Sequence, residues 1–92
     1  MSIRLSTYGR SFATRERAQD ILARIDSDDI TEIDLSGVRA ASPSFLDEFF
    51  GGLVEQTSSA SLVNVNETLQ PLVERVLARR NLERTFRLLA PA

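Results

Sequence analysis

The stretch Ile33–Leu53, IDLSGVRAASPSFLDEFFGGL, constrains the chain most, because two hydrophobic periods meet in it across a polar corner. The first part alternates, with Ile33 and Leu35 on one face and Glu32, Asp34 and Ser36 on the other. That pattern predicts a strand whose register is fixed by its buried side. The last part places Leu46, Phe49, Phe50 and Leu53 at the i, i+3, i+4, i+7 spacing of a helix with one apolar stripe. Between them, Ser42-Pro43-Ser44 carries the chemistry of a helix start. Ser42 suits an N-cap, since its hydroxyl can accept from an amide of the first turn, and Pro43 loses nothing at the next position by lacking an N–H. A second frame caps at Ser44 and closes a capping box with Asp47. Either frame sets Asp47 and Glu48 near the positive end of the helix dipole and makes the corner a place suited to an anion.

The rest of the chain repeats the strand-then-helix order. Residues 3–8 alternate as a first strand, an edge one by its polar partners, and Gly9 and Ser11 break it. Capped by Ser11 or Thr14, a first helix carries Ala18, Ile21, Leu22 and Ile25 on its apolar stripe. The polar turn at residues 26–29 has neither the glycine nor the closing glutamate of a calcium loop. After the central unit, Gly51-Gly52 marks close packing or early fraying. Residues 62–65 form a short β-branched strand, and Asn66 or Thr68 caps a last helix with Pro71 in its first turn. Its stripe is Leu69, Leu72, Val73, Val76 and Leu77, and Asn81 suits a left-handed C-cap. Leu82, Phe86 and Leu89 offer a final packing element of open type. The intervals match βαβ crossovers, so residues 1–92 are expected to form a single α/β domain.

Composition narrows the chemistry. The chain has no cysteine, no histidine and no lysine, since all eleven basic residues are arginine. Thiol and disulfide chemistry, histidine base catalysis, the usual zinc sites and Schiff-base or P-loop lysine chemistry are therefore excluded. A serine nucleophile would lack a base to activate it, so the chain is expected not to be an enzyme, with no cofactor and no metal. Charge is uneven: residues 1–25 carry net +3, residues 26–56 net −7 and residues 57–92 net +2. That acidic middle argues against a nucleic-acid footprint. No apolar run reaches the roughly 18 residues of a membrane span, and the N-terminus lacks an apolar signal core, so a cytoplasmic protein is expected.

Two segments carry a family likeness. Ile33-Asp34-Leu35-Ser36-Gly37-Val38 followed by Ser42-Pro43-Ser44-Phe45-Leu46 is similar to LDLSGVxxxDSSGLGVL, and residues 73–86 are similar to VxxLLxxxGLxxLF. The chain thus resembles the STAS domains of bacterial anti-sigma factor antagonists from the first helix onward. The wording SPSFLDEFFGGL looks most like a small bacterial STAS-like subfamily often paired with histidine-kinase-type ATPases. The resemblance implies a mixed sheet of about four strands with helices packed mainly on one face. It also implies a regulatory protein–protein module whose partner is a histidine-kinase-type ATPase or serine kinase. Ser44 stands at the family's phospho-acceptor, while Ser42, Pro43 and Phe45 replace its acid, first serine and glycine. Ser42, Pro43, Phe45, Asp47, Glu48 and Arg39 are the candidate partner-binding residues. Phe45 is a surface contact if it faces solvent and core if it tucks under the sheet, and Arg39 either orients a phosphate or pairs with Asp34. The alternative is a scaffold component that binds like domains without a phospho-switch.

Overall fold

Single apolar residues flanked by polar ones build a thin sheet that can bury one face. In β1 (Ser2–Arg4) only Ile3 is buried, and in β3 (Glu32–Asp34) only Ile33 is. The structure is a computed structural model that describes residues 1–25 and 29–89, so most of the polar turn read at 26–29 lies outside the described residues. The remaining strands and α-helices are β2 (Ser11–Phe12), α1 (Arg15–Arg24), β4 (Ala40–Ala41), α2 (Pro43–Leu53), β5 (Ala60–Val63), α3 (Gln70–Arg79) and β6 (Phe86–Leu88). Among the described residues, no helix is long and apolar enough to cross a membrane.

The main sheet has the order β1-β3-β5-β6, and β2 pairs with β4 in a separate two-stranded sheet. The strands cross the main sheet in chain order, so right-handed crossovers all deliver their helices to one face. The α/β class, the four strands and the helix layer on the sheet match expectation. The sheet is parallel throughout rather than mixed, because each return to it runs through a helix-bearing crossover. Its other face carries Ser2, Arg4, Glu32, Asp34, Ser61, Val63 and Arg87, all exposed or half-buried.

Several boundaries move from their sequence-based positions. The first strand stops at Arg4, where Leu5–Tyr8 coils into a 3-10 turn that buries Leu5 and is closed by the Gly9 N–H on the Ser6 carbonyl. Thr14, not Ser11, caps α1 by accepting from the Arg17 N–H. The third main-sheet strand begins at Ala60, two residues earlier than read. The last helix has no side-chain cap; Asn66 instead turns the approach by accepting from the Thr68 N–H. Pro71 does sit in its first turn. Asn81 ends that helix at φ 58°, with the Leu82 N–H on the Leu77 carbonyl and the Asn81 N–H on the Ala78 carbonyl. That pair of bonds is the Schellman arrangement, which favours a residue tolerant of left-handed backbone. The final packing element resolves as a strand, β6, parallel to β5.

The core is threaded by an aromatic chain. Phe12 stacks on Phe45 with ring centroids 4.8 Å apart, Phe45 on Phe49 at 5.5 Å, Phe49 on Phe50 at 5.7 Å and Phe50 on Phe86 at 5.1 Å. It joins the small sheet to the far edge of the main one through α2. Pairs of this kind add about 0.5 to 1.5 kcal/mol each beyond area burial.

Candidate functional site at the start of helix α2

The small sheet exists to aim α2. The Arg39 and Ala40 amides donate to the Arg10 carbonyl, and the Ser42 amide donates to the Phe12 carbonyl at 2.9 Å. Ser42 is then held twice by its side chain: its hydroxyl oxygen accepts from the Phe45 N–H at 3.0 Å, and its O–H donates to the Ala13 carbonyl at 2.7 Å. Of the two capping frames, the chain uses the Ser42 one, with Pro43 in the first turn. The reason is tertiary, since the carbonyl that completes the bonding of Ser42 comes from 29 residues away. Ser44 is left exposed, and among the described residues its hydroxyl has no hydrogen-bond partner. Pro43 is exposed beside it.

Phe45 is fully buried, stacked between Phe12 and Phe49. As a candidate partner contact it is corrected to a core residue, because the small sheet brings Phe12 over it. The buried stripe of α2 is therefore Phe45, Leu46, Phe49, Phe50 and Leu53. The helical period then sets Ser44 on the opposite ridge, flanked by Asp47 and Glu48, with Gly51 two turns from the start.

That ridge is roofed one turn after Ser44. Arg80, just past α3, reaches Asp47 with two nitrogens, Nε to Oδ1 at 2.5 Å and Nη2 to Oδ2 at 3.1 Å. Arg15, the first residue of α1, adds Nη1 to Asp47 Oδ2 at 2.9 Å and to Glu48 Oε1 at 3.5 Å. Gln19 donates to Glu48 Oε2 at 3.3 Å. One carboxylate thus ties all three helices together. Hydrogen bonds from Arg80 and then Arg15 hold the Asp47 carboxyl far below the usual carboxylate range, against the upward push of burial. The same bonds raise both arginines.

Gly51 and Gly52 explain themselves here. A Cβ on Gly51 would lie 2.6 Å from a guanidinium nitrogen of Arg80, and one on Gly52 would lie 2.4 Å from a methyl of Leu22. Of close packing and fraying, close packing is what the pair serves. Helical spacing alone sets Arg15 on the water face of α1 and makes Arg80 one of the charges that end α3. The available signal was a glycine four residues after an aspartate on the same helix face.

Arg39 is exposed, and among the described residues its side chain has no ion pair. The aspartate considered for it, Asp34, pairs instead with Arg4 at 3.6 Å and accepts from Asn64 at 3.1 Å and from the Ser36 N–H at 2.8 Å. Burial pushes the Asp34 carboxyl up, but those three donors together carry it below its ordinary value. Gly37, at φ 84° and with Ser6 against it, then lets the chain turn toward β4. The structure therefore gathers Ser42, Pro43, Ser44, Asp47 and Glu48 along one side of α2 and removes Phe45 from the surface. Among the described residues, no group of three aspartate, glutamate, histidine or cysteine side chains could hold a metal ion.

A family model described as a STAS-like domain of unknown function (DUF4325) matches residues 17–70, from the first turn of α1 through the start of α3. The matched span contains the whole corner and all of α2. No curated protein and no solved structure matches the chain. With the match covering more than half of its 92 residues, and with the four-stranded sheet and helix layer that the likeness implies, the chain belongs to this STAS-like domain family.

Proposed function

We propose that the chain is a non-enzymatic regulatory module that docks a protein partner of the histidine-kinase-type ATPase or serine kinase class through the start of α2. In this reading Ser44 is the phospho-acceptor, and its charge state decides whether the partner stays bound. The observation that carries the reading is the contrast between two serines. The Ser42 hydroxyl both donates and accepts within the fold, whereas Ser44, two residues on, is exposed with a free hydroxyl.

The local charge also suits the reading. A phosphoserine carries about −1.5 to −2 charges near neutral pH, and helix-start amides favour such a group by roughly 0.3 to 1 kcal/mol. Asp47 and Glu48 would resist it if bare, but each is paired with arginine. Phosphate on Ser44 would present a new anion at an otherwise uncharged corner of Pro43 and Ser44, which is enough to change a docked surface.

The test is capture from the native host with the immobilised chain, in wild-type and Ser44→Glu forms. An ATPase of the kinase type retained by the wild type and lost by Ser44→Glu supports the reading. Retention indifferent to charge at position 44, or self-assembled species alone, overturns it and favours the scaffold alternative.

A further inference from the structure

We infer that Arg15 is the positioning residue for a charged group on Ser44: it leaves Asp47 to pair with the phosphate and so loosens the start of α1 from α2. This rests on the reading of Ser44 as the modified residue and adds how the modification is felt by the fold.

The two arginines on Asp47 are not equivalent. Arg80 grips both carboxylate oxygens, and its guanidinium lies beside Gly51, where a Cβ would come within 2.6 Å of it. Arg15, about as exposed as Arg80, offers one nitrogen, split between Asp47 at 2.9 Å and Glu48 at 3.5 Å. Three of its guanidinium hydrogens at least therefore have no protein acceptor among the described residues. Ser44 stands three and four residues before Asp47 and Glu48, so its Cβ lies about 5 to 6 Å from theirs on the same ridge. Because Arg15 is bonded to both of those carboxylates, its guanidinium shares the ridge that a phosphoryl group on Ser44 Oγ would stand on. Guanidinium binds phosphate through two parallel hydrogen bonds, about twice as strong as neutral ones, and a near-dianion outcompetes half a carboxylate.

The exchange leaves no buried charge unpaired, because Asp47 keeps Arg80 and Glu48 keeps Gln19. Its reach is limited and defined. Among the described residues, the side-chain hydrogen bonds between α1 and α2 run from Arg15 to Asp47 and Glu48 and from Gln19 to Glu48. Moving Arg15 removes the first two while Leu22 stays packed on Gly52, so α1 loosens at its first turn and not along its length. In the underlying transfer, the γ-phosphoryl of ATP forms a bond to Ser44 Oγ, its bond to ADP breaks, and the hydroxyl proton passes to a base of the kinase.

Installing phosphoserine at position 44 during translation tests this without any kinase, so its outcome is separate from whether a partner phosphorylates the chain. The readout is the second ionisation of the phosphate, followed by phosphorus NMR against pH. The expected result is a pKa about half a pH unit lower in the otherwise wild-type chain than in Arg15→Gln, the size that an exposed ion pair gives. Arg15→Lys, which keeps the charge and loses the fork, should recover part of the shift, and Arg80→Gln should leave it in place. Equal titration with and without Arg15, or a shift that depends on Arg80 and not on Arg15, overturns the inference. Melting of each variant without phosphate identifies any that fails to fold.

Discussion

The outer ridge of α2 is built in two opposite ways within one turn. Around Pro43 and Ser44 it is bare and the hydroxyl is free, whereas from Asp47 to Gly51 it is covered by Arg15, Gln19 and Arg80. The difference separates two uses of polar residues on a single helix. The covered half holds three helices in register through one carboxylate, and the bare half contributes almost nothing to that framework. A residue's value to the fold and its availability to a partner are thus inversely placed along the ridge, and each can be measured.

The largest effect should come from beneath the ridge. Phe45→Ala removes a ring stacked between Phe12 and Phe49 and should cost about 3 to 5 kcal/mol in denaturant unfolding. A change that instead left stability intact would return Phe45 to the surface and erase the contrast. Next, Ser42→Ala strips an N-cap that also donates to Ala13 and should cost about 1 to 2 kcal/mol by the same measurement.

The covered half gives a smaller effect with a pH signature. Asp47→Asn should cost about 1 kcal/mol near neutrality, a modest figure because both arginines are nearly half exposed. The folded carboxyl is held below its unfolded value, so its contribution is fully present above the unfolded carboxylate pKa of about 4 and is lost as pH falls toward the folded value. Wild-type and Asp47→Asn stabilities should therefore converge in acid, and parallel curves would mean that the carboxylate is not the tie between the helices. Smallest of all, Ser44→Ala should fall within about 0.5 kcal/mol of wild type, as an exposed residue outside any cap or network does.

Much of this was legible in the sequence where local spacing carries the information. The stripe Leu46, Phe49, Phe50 and Leu53 follows from period alone, and Asn81 as a left-handed helix stop follows from its tolerance of that backbone. What was not legible depends on contacts distant in sequence. Ser42 and Ser44 are equally good caps locally, and the choice is made by the Ala13 carbonyl. Phe45 is ambiguous until Phe12 lies over it, and Arg15 and Arg80 look like solvent charges until three helices converge on Asp47. β6 is three residues long, too short for alternation to declare a strand.

The central claim, that the bare hydroxyl at the start of α2 is where a partner acts, is tested most directly by intact mass after incubation with the captured ATPase-type partner and ATP. The account predicts one phosphate per wild-type chain and none on Ser44→Ala, with Ser42→Ala still modified wherever it remains folded. No phosphate on the wild type, or a phosphate that persists in Ser44→Ala, would contradict it.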